Sequence, residues 1–178
     1  SKNTDGGAMY SEALTLKELC DSYGVPLIVN DRVDVAIAVG AAGVHVGQDD
    51  LPCKVVRELV QDRPGFIVGV SAHNPDEALQ ALADGADYLG CGAVFGSNTK
   101  NNVGTLGLEN LQAIHKALAK AGDTNAIPMV GIGGINASNY DQVLATGANG
   151  AAVVSGILAA EDIEAEVKRF VAIRDKKL

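Results

Sequence analysis

The chain has 178 residues, 47% of them apolar but only 4% aromatic, with no Trp and a formal net charge of −8. That length supports one domain with a sizeable core. The acidic balance excludes a general nucleic-acid surface, which needs a basic face for phosphate contacts. No apolar run approaches the roughly 20 residues of a membrane span, and the first residues are polar and Gly-rich, unlike a signal peptide. Three cysteines, Cys20, Cys53 and Cys91, stand far apart and in odd number. They read as reduced thiols of a cytoplasmic protein rather than a disulfide framework or a CxxC metal site.

In chain order, a helix is expected over 10–23, then a short strand over 26–30 (PLIVN) and a helix over 32–41. Strand 43–47 (GVHVG) precedes helix 54–61, strand 66–71 (FIVGVS) precedes helix 75–84, and strand 87–92 (DYLGCG) leads through a long loop to helix 108–121. Strand 128–133 (PMVGIG), helix 137–146, strand 150–155 (GAAVVS) and helix 160–173 complete the chain. Such alternation predicts a parallel sheet in an α/β protein. The segments AVGAAGVHVG, ADGADYLGCG and ATGANGAAVV each end a helix with Gly and Ala before a new strand. Gly suits that place because it enters the left-handed conformation without a Cβ penalty.

Repetition of one strand–helix unit favours a (β/α)8 TIM barrel over a doubly wound sheet, since no GxGxxG follows an early strand. Only six strands are counted, whereas the closed barrel has eight and typically about 200 residues or more. One domain spanning 1–178 is therefore expected to be N-terminally incomplete, with strand one, helix one and strand two lying before Ser1.

In such barrels chemistry gathers at the C-terminal ends of the strands. The clearest signal is GIGGIN followed by VVSG, where Gly133 and Gly134 let backbone approach an anion and Ser155 adds a hydroxyl. Helices beginning near Ala137 and Ala160 could aim their N-termini at the same spot. Asp31 and Asp50, at the exits of strands 26–30 and 43–47, are candidate Mg²⁺ ligands, because this ion takes one or two carboxylates and completes its shell with water and phosphate. Each could instead cap the following helix. The loop 93–107 is long enough to be functional, and it holds Ser97, Thr99 and Lys100, donors suited to a diphosphate. His45 is expected in the core and His115 idle, while His73 stays open beside Ser71.

Taken together, LIVNDRVDVAIAVGAAGVHVGQDDLP, GVSAHNPDEALQALADGADYLGCGAVF, TK, VGIGGIN and GAAVVSGI closely resemble the thiamine-phosphate synthases. The resemblance covers about residues 10–173. It implies a Mg²⁺-dependent barrel enzyme that joins an aminopyrimidine diphosphate to a thiazole phosphate, releasing pyrophosphate. By motif, Asn30 would contact the pyrimidine diphosphate, Asp31 and Asp50 would hold Mg²⁺, and Ser71 would line the pyrimidine. Lys100 would meet the pyrophosphate, and with Asn30 carries the catalytic expectation. Ser97, Asn98, Thr99, Gly134, Val154 and Ser155 would receive the thiazole phosphate.

Two departures from the family pattern stand out. Of a Gln-x-Arg-x-Lys motif only Lys2 has a counterpart, and Ala93, Gly96 and Ser97 replace two prolines and a threonine in the loop, which loosens it before binding. A thiazole tautomerase, with His73 as base, and a non-catalytic phosphate-binding protein are the alternatives. The expected partners are small molecules, with neither nucleic acid nor membrane involved; the sequence leaves a homo-oligomer open.

Overall fold

A computed structural model describes residues 5–96, 107–121 and 127–177. The chain divides into two compact units, Ser1–Val70 with Asp84–Asp87, and Ser71–Ala83 with Tyr88–Leu178.

The first unit contains α1 (Gly6–Ser22), β1 (Ile28–Asn30), α2 (Val33–Ala38), β2 (Gly43–Val46), α3 (Cys53–Leu59) and most of β3 (Ile67–Ala72). Asp5 starts α1 by accepting the Ala8 N–H at 2.8 Å, an N-cap that satisfies one otherwise unpaired donor. The three strands run parallel, with Asn30 opposite His45 and Val44 opposite Val68. Val44, Val46, Val56 and Val68 are almost wholly buried, as expected of β-branched residues on strands and helix faces turned to a core. The repeat glycines behave as their sequence context predicts: Gly40, Gly85 and Gly147 have φ of 66°, 87° and 95°. At the first, the Ala41 N–H reaches Ala36 O at 2.9 Å and the Gly40 N–H reaches Ile37 O at 3.3 Å, the paired bonds of a Schellman stop.

A device the sequence reading missed closes the start of β3. Asp87 donates its N–H to Val68 O at 2.8 Å, and its Oδ2 accepts the Val68 N–H at 2.7 Å. Arg57 pairs with the same carboxylate and donates to Gly85 O at 2.7 Å and Phe66 O at 2.9 Å. Because Val68 is buried, its N–H has no access to water once the carboxylate is gone. Asp87→Ala should therefore cost about 2 kcal/mol in urea unfolding, and Asp87→Asn distinctly less, since its amide oxygen can still accept. The exposed part of the ion pair with Arg57 adds little. Equal losses for the two variants would rule out the Val68 bond as the cause.

The second unit holds the end of β3, then α4 (Pro75–Ala83), β4 (Tyr88–Gly92), α5 (Gly107–Lys120), β5 (Met129–Ile132), α6 (Tyr140–Leu144), β6 (Gly150–Ala152), α7 (Ser155–Leu158) and α8 (Ile163–Asp175). Strands β4, β5 and β6 are parallel, with Cys91 opposite Gly131 and Gly131 opposite Ala151. Asn149 mirrors Asp87: its N–H meets Met129 O at 2.8 Å and its Oδ1 accepts the Met129 N–H at 2.9 Å. Leu111, Ile114 and Leu118 bury one face of α5 at helical spacing. The rings of Tyr140 and Phe170 lie 5.1 Å apart and tilted by 48°, which fastens α8 to α6.

Five expected boundaries move by three residues or more: α1 begins at Gly6 rather than 10, α2 ends at Ala38 rather than 41, and the other three lie nearer the C-terminus. The helix expected from 137 begins at Tyr140, because Asn136 and Asn139 hold the preceding turn. Asn139 Oδ1 accepts the Asn136 N–H, and Asn136 Oδ1 accepts the Ser138 N–H, both at 2.9 Å; such local bonds compete with helix. The last strand ends at Ala152, and a short helix not foreseen starts at Ser155. The final helix waits for Asp162, whose carboxylate caps Ala165 N–H at 2.9 Å.

Cys53 and Cys91 are buried and free, while Cys20 is half-buried and free. Burial raises both buried thiols, Cys91 to about 12, so neither supplies thiolate near neutral pH. A disulfide reagent at pH 8 should label Cys20 first, with Cys53 and Cys91 following only on unfolding, as peptide mass mapping would show. Fast labelling of Cys91 in native protein would contradict this packing.

The fold is α/β, of the (β/α)8 TIM-barrel class, with six strands among the described residues. Among those residues no helix is long and apolar enough to cross a membrane.

Candidate functional site

At the exits of β1 and β2 the backbone places two carboxylates. Asn30 ends β1 and is exposed. Asp31 follows with φ of 62°, a positive value that no other non-glycine takes among the described residues. Asp tolerates the left-handed region better than most side chains. The turn is tight, because the Asp31 N–H still reaches His45 O at 2.8 Å while the Arg32 N–H returns to Asn30 O at 2.7 Å.

Asp31 does not stand in the cap position of α2. α2 begins at Val33 with Arg32 in the cap position and no side-chain cap bond. Arg32 instead forks onto Asp34, at 2.8 and 2.6 Å. That pairing lowers the Asp34 carboxyl to about 2 and raises the guanidinium. Asp50 does not cap its helix either, since Pro52 precedes α3. Its Oδ2 folds back to accept the Gly47 N–H at 2.8 Å, and a Cβ on Gly47 would lie 3.0 Å from that oxygen.

The structure thus brings Asp31 and Asp50 to the exits of two strands that pair directly. Both are hard oxygen donors, the kind Mg²⁺ prefers. No group of three or more His, Cys, Asp or Glu side chains gathers into a metal site among the described residues. Two carboxylates alone would leave the rest of such a cation's shell to water and substrate oxygen.

A second cluster forms at the exits of β4, β5 and β6. The Val94 N–H bonds Ile132 O at 2.8 Å and the Phe95 N–H bonds Gly133 O at 3.0 Å, so the chain leaving β4 stays attached to that leaving β5. Gly134, at φ 66°, is hemmed in: a Cβ there would meet Gly96 O, Phe95 Cβ and Phe95 O, each at 2.8 Å. Gly156 packs so closely on the backbone of Ile135 that its Cβ would stand 2.5 Å from Ile135 O. Val154 and Ser155, just before Gly156, are both exposed. Ser155 is the first residue of α7 rather than the end of a strand.

Ser71 is half-buried on β3 between buried Val70 and Ala72. His45 is half-buried within β2, and the His115 ring packs against Gly147, where a Cβ would approach it to 2.5 Å. Lys2, Ser97, Asn98, Thr99 and Lys100 lie outside the described residues.

A family model described as thiamine monophosphate synthase matches residues 1–157. A thiamine-phosphate synthase of Chloroflexus aurantiacus is 48% identical over 173 residues, 97% of this chain and 76% of that protein. One from Ruminiclostridium cellulolyticum is 43% identical, covering 97% of this chain and 78% of the relative. Among solved structures, a thiamine phosphate pyrophosphorylase from Pyrococcus furiosus superposes with a TM-score of 0.84 at 39% identity, over 100% of this chain and 81% of the other. A 3-hexulose-6-phosphate synthase, at 19% identity and a TM-score of 0.68, shares the fold alone. With a family model spanning most of its length and relatives this similar, the chain belongs to the thiamine monophosphate synthase family.

Proposed function

We propose that this protein is a transferase of thiamine biosynthesis, coupling an aminopyrimidine methyl diphosphate to a thiazole phosphate to give thiamine phosphate and pyrophosphate. The observation that carries this reading is the pair Asp31 and Asp50, held at the exits of two paired strands and outside the cap positions of the helices that follow. Family membership supports the same reading.

Asp31 and Asp50 would hold Mg²⁺, and Asn30 and Lys100 would contact the diphosphate. When bound, the cation supplies charge neutralisation to the diphosphate oxygens. The bond between the pyrimidine methylene and diphosphate oxygen breaks, and the electron pair leaves with pyrophosphate, whose growing charge Lys100 would offset. The amino-substituted ring spreads the positive charge left on the methylene. The thiazole nitrogen then forms the new C–N bond, so no protein nucleophile is needed. Ser71 would line the pyrimidine, and Lys2 would add a cation to the diphosphate. Ser97, Asn98, Thr99, Gly134, Val154 and Ser155 would position the thiazole phosphate, which is the larger part of the protein's work. Three free thiols suit the reducing cytosol as its setting.

The test is turnover: with both substrates and Mg²⁺, the purified protein should form thiamine phosphate and pyrophosphate in equal amounts. Binding of thiazole phosphate without any product would instead favour the non-catalytic alternative. The phosphate cradle makes its own prediction. In Gly134→Ala the methyl must displace the backbone of Phe95 and Gly96, and the lost donor geometry should raise the KM for thiazole phosphate by about 10–100-fold. The KM for the pyrimidine diphosphate should stay near its original value. A rise in both KM values alike would argue against a dedicated phosphate cradle.

A further inference from the structure

The exit of β3 carries a hydrogen-bond network that neither the carboxylate pair nor the glycine cradle uses. Glu77, in the first turn of α4, accepts the His73 backbone N–H at 2.8 Å and meets His73 Nδ1 at 2.9 Å, both through Oε2. Its Oε1 accepts from the Asn74 amide at 2.7 Å, and the Glu77 N–H returns to Asn74 Oδ1 at 2.9 Å. From α5, Asn110 Nδ2 donates to the His73 carbonyl at 2.9 Å. Starting the helix requires only the reciprocal bonds between Asn74 and Glu77. The remaining bonds hold one imidazole and the backbone that carries it.

An ionised carboxylate can only accept, so Nδ1 carries the proton of the neutral ring and Nε2 presents a lone pair. The His73 side chain is 42% exposed, and among the described residues nothing hydrogen-bonds to Nε2. The result is an oriented acceptor at the strand end where barrels of this class bind their substrates. Of the two substrates, only the aminopyrimidine diphosphate carries an N–H donor, its exocyclic amine.

We infer that His73 is a further substrate-contacting residue, its Nε2 accepting a hydrogen bond from the exocyclic amine of the pyrimidine, with Glu77 as its positioning residue. This rests on the synthase reading above. No proton has to transfer. As positive charge spreads from the methylene onto the amine, the N–H becomes a stronger donor, so the contact tightens in the transition state.

The experiment compares native protein with His73→Phe, His73→Gln and Glu77→Gln. In His73→Phe, kcat/KM for the pyrimidine diphosphate should fall about tenfold or more, with the KM for thiazole phosphate unmoved. Gln, which keeps an acceptor oxygen, should recover part of the loss. Glu77→Gln retains the helix cap and should lower kcat with the same substrate selectivity and an unchanged melting temperature.

An independent readout is the Ki of an unreactive pyrimidinylmethyl diphosphate analogue with the amine, set against its counterpart lacking the amine. Native protein should favour the amine form by about tenfold, and His73→Phe should favour neither. An unchanged Ki ratio in His73→Phe overturns the assignment, even if native turnover is normal. Absence of turnover in native protein overturns the synthase reading, while the Ki ratio still judges His73. If native protein binds neither analogue, both fall.

Discussion

Asp31→Asn and Asp50→Asn should each lower kcat/KM by about 10²–10³-fold while leaving thermal stability nearly unchanged. The two effects separate because of what the backbone asks at each place. Position 31 sits at φ 62°, and Asn enters that region as readily as Asp. At position 50 the amide oxygen of Asn can still accept the Gly47 N–H that Oδ2 holds at 2.8 Å. Each substitution therefore removes a negative charge while keeping the backbone geometry. Asp31→Ala is a poorer probe, since it adds backbone strain of about 1 kcal/mol to the loss of charge.

Magnesium activation curves should shift to higher concentration in both Asn variants. Asp34→Asn is the control. Asp34 is exposed and faces Arg32 in an ion pair, so its loss should leave turnover within about twofold. The pairing holds its carboxyl at about 2, so its small stabilising effect is present above the ordinary carboxylate range and lost as pH falls through about 2. Full activity in both Asp31→Asn and Asp50→Asn would end the magnesium reading.

Gly43→Ala should destabilise the protein by about 3 kcal/mol, a large fraction of the 5–15 or so that holds an ordinary domain together. Gly43 opens β2, and its new Cβ would lie 2.1 Å from Ile67 O and 2.7 Å from Ile67 Cβ. The nearest obstacle is backbone, so no rotamer change relieves it. The strands must separate at a point where the Ile67 N–H bonds Ala42 O at 2.9 Å. Gly150 opens β6 in the matching repeat position, yet among the described residues a Cβ there meets only Val130 Cγ1, at 3.9 Å. Gly150→Ala should accordingly stay within about 0.5 kcal/mol of the native protein. Urea unfolding of the two variants side by side decides the matter, and equal midpoints would refute the steric account.

Much of this architecture could be read from local pattern. Each expected strand appears within a residue or two of its place, except at the last one, because apolar runs punctuated by Gly and Pro are local signals. The three repeat glycines adopt the backbone their context demands. GIGGIN and VVSG also marked places with no room for a side chain, and Gly134 and Gly156 pack tightly against neighbouring backbone.

What resisted reading were bonds made across sequence distance or in competition with local alternatives. Arg57 and Asp87 are 30 residues apart, and Asn110 reaches His73 across 37; neither pair leaves a periodic trace. Asp31 is the sharpest case. A carboxylate before a helical pattern is an ordinary cap by local rules, and only the chain's path decides otherwise. The bond from Asp31 N–H to His45 O turns the residue into the left-handed region, and α2 begins two residues later.

The sequence by itself determined the alternation of strand and helix, the family, and which residue types stand at each strand exit. These depend on side-chain periodicity, turn chemistry and motif, all written along the chain. Only the tertiary structure decided which exits adjoin, that Asp31 and Asp50 lie outside the cap positions of the next helices, and that Glu77 orients His73. Those facts depend on strand register and on hydrogen bonds between distant residues, which exist only once the backbone has folded.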